Sequence, residues 1–263
     1  MPGKLLEDEP AEGVLRLTIS NPTKRNALDH PILDAITEAV AGAATGGARA
    51  ILLTGEEGMF SSGYDIGPSD AEGFAERAEA LVAHPYTNAI EALEACDLPT
   101  VAALTGHTIG GALELSLACD LRLAADGIRL GMPPAKLGLV YSHTGLRRFL
   151  DVIGAGRTRE LFLLGRHVHA PDALLWGLVN AVVPERDLED EALAWAAELA
   201  ANAPLSVAGN KQILRALLRA EGGLSAALEE ELVALRRSCF TSEDFREGVQ
   251  AFGEKRAARW QGR

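Results

Sequence analysis

Strand-like and helical segments alternate along the first part of this 263-residue chain. Residues 14–20, 50–54, 100–104 and 120–125 are short apolar segments of the strand type. Between the first two of them, Asp29 is placed to cap a segment whose apolar side chains recur at helical spacing. An alternation of strands and helices predicts crossover connections and stacked sheets rather than a β-sandwich. The sequence therefore predicts an α/β fold.

The C-terminal part of the chain has a different pattern. From about Arg186 onward the periodicity is almost wholly helical and predicts helices over 187–202, 206–221, 224–238 and 242–258, the first two separated by Ala203-Pro204. We therefore expect an α/β core of residues 1–203 that carries the functional site, followed by a helical region of residues 204–263.

The composition argues against several classes of protein. The 37 acidic and 25 basic residues give a formal net charge of −12, which disfavours a nucleic-acid-binding surface. The sequence has no run of about 18 apolar residues that would span a membrane, and its charged first residues do not resemble an export signal. The three cysteines are widely spaced, and no metal-ligand pattern is evident. We expect a cytoplasmic protein with reduced thiols and without a membrane or nucleic-acid partner.

Two glycine-containing segments follow predicted strands, at residues 60–66 and 106–115. In the second segment the glycines open a helix, and Glu114 lies about one helical turn after Gly111. The N–H groups at a helix N-terminus lack intrahelical acceptors and carry partial positive charge, so they stabilise a developing oxyanion. Two such donors beside one carboxylate indicate thioester or carbonyl chemistry, although the same glycines are also compatible with tight packing alone.

Several segments together resemble the enoyl-CoA hydratase/isomerase (crotonase) superfamily over nearly the whole chain. This resemblance implies a crotonase-like spiral of ββα units with a helical C-terminal trimerisation region, assembled as a homotrimer or as a hexamer of two trimers. It also implies that a coenzyme A thioester is the substrate and that no cofactor is bound tightly. The matching segments are residues 21–28, 60–66, 98–106 and 110–120, Lys211, and parts of 242–256.

The resemblance implies roles for individual residues. The backbone N–H groups of Tyr64 and Gly111 are expected to form an oxyanion hole that holds the thioester oxygen while an enolate develops. Glu114 and Tyr141 are the side chains expected to act with them. The residues expected to bind the coenzyme A part are Lys24, Arg25, Ala27, Ser62, Tyr64, Asp65 and Ile66, with Phe240 and Lys255 reaching it across a subunit interface.

One position departs from the hydratases of this superfamily, which place two glutamates around the substrate double bond. Glu114 matches the first glutamate, but Pro134 stands at the second position and can neither donate nor accept a proton. Residues 133–141 instead resemble methylmalonyl-CoA decarboxylases, which carry an active-site tyrosine where Tyr141 stands and usually a histidine where Tyr64 stands. These residues favour lyase or decarboxylase chemistry over hydration.

Other interpretations of these residues stay open. Tyr141 is also compatible with a core tyrosine whose hydroxyl is hydrogen-bonded. His107 and His143 are further acid/base candidates or structural histidines, and His167 and His169 are expected in turns. The alternative function is that of a non-catalytic acyl-CoA-binding protein, in which the oxyanion hole holds a thioester without turnover.

Overall fold

The structure is a computed structural model, and it describes residues 2–65, 82–137, 140–220, 225–228, 230–231, 234, 242–244, 247, 251, 254, 256 and 258–263. The strands in these residues are β1 (Lys4–Ala11), β2 (Val14–Ser20), β3 (Ala50–Gly55), β4 (Thr100–Leu104), β5 (Thr108–Ile109), β6 (Leu121–Ala125), β7 (Arg129–Gly131), β8 (His167–His169) and β9 (Ala181–Val183). The α-helices are α1 (His30–Ala43), α2 (Thr87–Ala95), α3 (Gly111–Leu117), α4 (Pro134–Leu137), α5 (His143–Leu164), α6 (Ala170–Leu175), α7 (Leu188–Ala201) and α8 (Pro204–Arg219).

The strands form a six-stranded sheet in the order β1-β2-β3-β4-β6-β9 and a three-stranded sheet in the order β5-β7-β8. In the larger sheet β1 pairs with β2 in antiparallel fashion, and all other pairs are parallel. Helices α1 and α3 connect parallel strands of this sheet, and α7 packs against β3 and β4. The α/β prediction is therefore confirmed.

The helix predicted after Asp29 is present as α1. The Asp29 carboxylate caps it by accepting the Ile32 N–H at 3.2 Å, and a second oxygen accepts the Gly3 N–H at 2.7 Å. The side chains of Ile32 and Leu33 on the inner face are completely buried. An apolar stripe at helical spacing was sufficient to identify this helix.

Five strands, β1, β5, β7, β8 and β9, were not predicted from the sequence. Four of the eight side chains of β1 are charged and exposed, so the segment shows no apolar face, and its backbone pairing with β2 stabilises it instead. The prediction that His167 and His169 lie in turns was wrong, because both belong to β8, which pairs with β7. Val168 between them is buried while the two histidines are exposed, which is the alternation typical of a strand.

The C-terminal helical prediction is confirmed where the structure describes it. Helices α7 and α8 correspond to the first two of these predicted helices. The proposed boundary at Ala203-Pro204 falls at the start of α8, whose first residue is Pro204, and it stays a prediction. The helices predicted over 224–238 and 242–258 fall in a region of which only scattered residues are described. No helix within the described ranges is long and apolar enough to cross a lipid bilayer.

Lys211 joins helix α8 to the α/β core. Its buried ammonium group donates to the Leu98 carbonyl at 2.8 Å and to the Asp120 carboxylate at 2.7 Å. The same Asp120 oxygen accepts the N–H and the hydroxyl of Thr100, at the start of β4. One carboxylate therefore ties the C-terminal helix to the strand that leads into the second glycine segment.

Arg122 closes the far end of the helix that carries Glu114. Its buried guanidinium donates to the carbonyl oxygens of Ser116 (3.4 Å) and Cys119 (2.7 Å) at the end of α3, and to that of Leu178 (2.9 Å). Carbonyl groups at a helix C-terminus have no intrahelical donors and carry partial negative charge. Arg122 therefore satisfies this end of the short helix and fixes its position on the sheet.

Replacing Arg122 with methionine will remove the guanidinium donors of the Cys119 and Leu178 carbonyl oxygens. We expect Arg122→Met to lower the free energy of unfolding by roughly 2–4 kcal/mol, measured by urea denaturation. Arg166→Met, at an exposed position, is the matched control and is expected to change it by less than about 0.5 kcal/mol. Equal unfolding midpoints for the two variants would contradict this role for Arg122.

Candidate functional site

The two glycine segments lie side by side beyond the carboxyl ends of β3 and β4. A parallel bridge pairs Ser61 with Thr108. Gly63 has a φ of 97°, and a methyl group on its Cα would lie 2.8 Å from the Ile109 carbonyl oxygen and 3.5 Å from the Gly111 nitrogen. Glycine is required at this position because a side chain would separate the two segments.

Two backbone N–H groups at this junction donate to no acceptor in the part of the chain that the structure describes. One belongs to Tyr64. On either side of it, the Leu28 N–H donates to the Gly63 carbonyl and the Asp65 N–H donates to the Leu28 carbonyl, each at 2.8 Å. The other belongs to Gly111, the first residue of α3, where a helix offers no internal acceptor. Sequence and structure thus place two neighbouring donors of the kind that binds an oxyanion.

Glu114 lies one turn into α3 and is surrounded by donors. Arg148 Nη1 donates to Oε1 at 3.0 Å, and the Tyr141 hydroxyl donates to Oε2. The Tyr86 hydroxyl proton is shared between the Gly111 carbonyl oxygen at 2.7 Å and Oε2 at 3.1 Å. The Glu114 side chain is only 3% exposed. Glu114 therefore forms a buried ion pair with Arg148, and phenol hydroxyls contact its other oxygen.

All three tyrosines of the chain meet at this carboxylate. The hydroxyls of Tyr64 and Tyr141 are 3.2 Å apart, and the rings of Tyr64 and Tyr86 pack edge to face with centroids 4.7 Å apart. Because the single hydroxyl proton of Tyr141 is donated to Glu114, the Tyr64 hydroxyl donates to Tyr141. The hydrogen bonds therefore run in one direction, from Tyr64 through Tyr141 to Glu114.

Burial is the main cause that raises the pKa of all three tyrosines above the ordinary value, and the nearby Glu114 carboxylate raises each pKa further. The three phenols therefore keep their protons at any ordinary working pH. Tyr64 and Tyr141 are partly exposed, whereas Tyr86 and Glu114 are buried. A ligand that enters this site therefore meets the first two tyrosines before it meets the carboxylate.

Sequence reasoning missed three members of the cluster, namely Tyr86, Glu94 and Arg148. Arg148 Nε and Nη2 donate to the two carboxylate oxygens of Glu94, at 2.6 and 3.2 Å, while Nη1 reaches Glu114. The scarcity of tyrosine was the one available signal for Tyr86. Nothing in the periodicity distinguished Glu94 or Arg148 from other charged residues of their helices.

The predicted coenzyme A residues near Tyr64 also come together. Lys24 Nζ pairs with Asp65 at 2.6 Å, and Ser62 bonds to the carbonyl oxygens of Lys24 and Arg25 at 3.1 and 3.0 Å. Ala27, close by in the chain, is buried. These residues therefore line one side of the oxyanion donors. Ile66, Phe240 and Lys255 lie outside the described residues.

The remaining candidates have different surroundings. Pro134 is the buried first residue of α4 and follows the buried Met132. The Gly110 N–H donates to the Gly131 carbonyl at 2.8 Å, which places this apolar segment against the start of α3. His107 accepts the Arg129 N–H at 3.1 Å, and His143 is the exposed first residue of α5. Among the described residues, no group of three histidine, cysteine or carboxylate side chains is arranged to hold a metal ion.

Comparisons with known proteins agree over the whole length. Residues 9–263 match the family model described as "Enoyl-CoA hydratase/isomerase". The chain is 33% identical over 256 residues to "Probable enoyl-CoA hydratase echA6" of Mycobacterium tuberculosis, which covers 96% of this chain and 97% of that protein. It is 34% identical over 261 residues to the carnitinyl-CoA dehydratase of Salmonella typhi, with 95% and 98% covered. The crystal structure of an enoyl-CoA hydratase from Bacillus anthracis superposes with a TM-score of 0.88 at 29% identity, over 99% of this chain and 100% of that one.

The burial of the three tyrosines predicts a loss of stability at alkaline pH. Their pKa values are raised in the folded state, so their contribution is present below about pH 10, the ordinary tyrosine pKa, and is lost as the pH rises above it. Each tyrosine that ionises only on unfolding lowers the free energy of unfolding by about 1.4 kcal/mol per pH unit in that range. Urea denaturation from about pH 9 to about pH 11 measures this slope. Tyr86→Phe will be less stable at neutral pH and will show a shallower decline, whereas parallel curves would refute the assignment.

Gly111 is predicted to tolerate no side chain while Tyr64 is present, because a methyl group on its Cα would lie 2.3 Å from the Tyr64 ring. We expect Gly111→Ala to cost roughly 1–3 kcal/mol of unfolding free energy. In a Tyr64→Ala background the same substitution will cost less, because the obstructing ring is absent. A double-mutant cycle by thermal unfolding measures the difference, and strictly additive effects would rule out this contact.

Proposed function

The chain belongs to the enoyl-CoA hydratase/isomerase family, and we propose that it is a decarboxylase of this family that acts on a methylmalonyl-CoA-like thioester. Family membership supports an enzyme that acts on an acyl-CoA, with the crotonase fold expected from the sequence. The proposal for the reaction rests on one observation: Glu114 has phenols and a guanidinium as its partners, and the Tyr141 hydroxyl points its proton at Glu114.

Hydration by two carboxylates suits this site poorly. Such a reaction needs a second acid/base group beside Glu114, and Pro134 at the matching position is buried and has none. The oxygens of Glu114 already accept from three donors, and its side chain is almost completely covered. A carboxylate with so little access is badly placed to activate a water molecule.

Decarboxylation uses the groups that the site retains. The bond between the α-carbon and the carboxylate breaks, CO2 leaves, and the bonding electron pair becomes the enolate of the thioester. The N–H groups of Tyr64 and Gly111 hold the oxygen on which the negative charge builds, and losing one such donor costs roughly 3–4 kcal/mol of transition-state stabilisation. The step needs no general base, so the absence of a glutamate at position 134 does no harm.

Tyr141 is proposed to complete the reaction as the proton donor. Its hydroxyl proton passes to the α-carbon of the enolate, which gives the shortened acyl-CoA. The phenolate that remains accepts a hydrogen bond from Tyr64, and a proton from solvent restores the phenol. The raised pKa of Tyr141, caused chiefly by burial, keeps this group in its acid form before the reaction.

Binding of coenzyme A is proposed to use the residues beside Tyr64. Lys24 and Arg25 supply positive charge for the phosphates, and Ser62 and Asp65 shape the neighbouring backbone. Phe240 and Lys255 are proposed to contact the coenzyme A part of the substrate across an interface in a homotrimer or hexamer. Because the chain as a whole carries a net charge of −12, the anionic phosphates of coenzyme A are expected to bind where basic side chains are concentrated locally.

The direct test is incubation of the purified protein with methylmalonyl-CoA, with CO2 and propionyl-CoA as the measured products. Crotonyl-CoA is the matched substrate for hydration, and its hydration is measured by the loss of the enoyl absorbance. Production of CO2 with slow hydration supports the proposal. Hydration of crotonyl-CoA at rates typical of the family, without CO2 release, would overturn it.

We predict that Tyr141→Phe lowers kcat for decarboxylation by about 10²–10⁴-fold, because it removes the proton donor and leaves the ring in place. The value of KM should change far less, since the variant retains the oxyanion donors. Arg166→Met, at an exposed position, is the control and should retain the wild-type kcat. Full activity of Tyr141→Phe would eliminate Tyr141 as the proton donor.

A Glu114→Gln variant separates catalysis from simple binding. An enzyme loses turnover with this substitution, because the amide no longer accepts from Arg148, Tyr86 and Tyr141 in the same way. If the wild type binds acyl-CoA, measured by calorimetry, and turns over neither substrate, and Glu114→Gln binds equally well, the protein is a non-catalytic acyl-CoA carrier instead.

A further inference from the structure

We propose that Arg148 is a positioning residue for Glu114. It holds the Oε1 oxygen by a hydrogen bond, so that Oε2 is the oxygen that contacts Tyr141, the proposed proton donor. This inference rests on the proposed function, because it concerns the same acid site. Arg148 lies on α5, about two helical turns after Tyr141 in the sequence.

The guanidinium is aimed by Glu94. Nε and Nη2 of Arg148 make a two-point contact with the Glu94 carboxylate, which fixes the plane of the guanidinium and leaves Nη1 directed at Glu114. The Arg148 and Glu94 side chains are 17% and 26% exposed, so the chain of contacts runs from a nearly dry carboxylate towards the surface. A lysine has no fixed fork and cannot make both contacts in this geometry.

The first turn of α5 closes the Oε1 side sterically. A methyl group on Gly145 would lie 2.8 Å from Glu114 Oε1 and 2.6 Å from the Tyr141 ring. Backbone therefore packs directly against this oxygen, and a substrate or water molecule has no room beside it. The Oε2 oxygen faces the partly exposed Tyr141 instead.

Arg148 also supplies the counter-charge. Among the described groups, Tyr64 and Tyr86 face Glu114 from segments before α2. Tyr141, just before α5, and Arg148, on α5, face it from the other side, and Glu94 of α2 lies behind the guanidinium. The tyrosines are neutral, so Arg148 is the cation shared by two carboxylates in this described set. Without it, two negative charges would face each other across a largely dry gap.

A carboxyl-carbon titration tests this inference without any assay of turnover. The glutamate side-chain carboxyl carbons are labelled with ¹³C, and the Glu114 resonance is identified by its loss in Glu114→Gln. We expect Arg148→Met to move the titration midpoint of that resonance to higher pH, because the cation that contacts Oε1 is lost. Glu94→Gln should move it to lower pH, because Arg148 then serves one carboxylate, and Arg148→Lys should give a midpoint between wild type and Arg148→Met.

Arg147→Met is the matched control, because the neighbouring Arg147 contacts Asp151 on the outer side of α5. Its midpoint should equal that of the wild type. A folded Arg148→Met protein with the wild-type midpoint overturns the proposal. If Arg148→Met does not fold, Glu94→Gln decides, and an unchanged midpoint there overturns it.

A second readout links the titration to chemistry. Exchange of the α-protons of propionyl-CoA with deuterium from D2O reports enolate formation and reprotonation independently of CO2 loss. The acid limb of its pH profile should follow the same order of variants. If the variants show the expected titration shifts but the wild type releases no CO2 from methylmalonyl-CoA, only the decarboxylase proposal is rejected. If the wild type releases CO2 but Arg148→Met has the same titration midpoint and the same acid limb as the wild type, only the role of Arg148 is rejected.

Discussion

The need to compensate one buried negative charge organises this site. Removing a carboxylate from water costs several kcal/mol unless donors replace the lost hydration. Glu114 obtains these donors from three separate parts of the chain, through Tyr86, Tyr141 and Arg148. The turn before α2, the segment that enters α5 and the helix α3 are therefore held together by a requirement of electrostatics as well as by apolar packing.

The elements that could be predicted from the sequence are those with a local cause. The Asp29 cap, the apolar stripe of α1 and the close approach at Gly63 each depend on neighbours in the chain or on backbone sterics. Residues such as Glu94 and Arg148 join Glu114 only through tertiary contacts, and periodicity carries no information about those. The strand β1 could not be predicted for a related reason, since its stability comes from backbone pairing with β2 rather than from its own apolar side chains.

The site separates what the fold supplies from what individual side chains supply. The two proposed oxyanion donors are backbone N–H groups, so any sequence that keeps the glycines and the helix start keeps them too. In the proposed reaction, proton transfer depends on the Tyr141 hydroxyl beside Glu114, and a change at either position is expected to alter the reaction while the fold is retained. Relatives of similar structure can therefore carry out different reactions on acyl-CoA, and the family name alone does not specify which one.

Helix α5 begins at the residue after Ser142, whose hydroxyl caps it by accepting the Gly145 N–H at 3.1 Å. Tyr141 precedes that cap, and Arg148 lies about two turns further along the same helix. One rigid element therefore carries both the phenol and the cation that contact Glu114. A displacement of its first turns would break both contacts together, so the phenol of Tyr141 and the cation of Arg148 reach the carboxylate only when this end of the helix is in place.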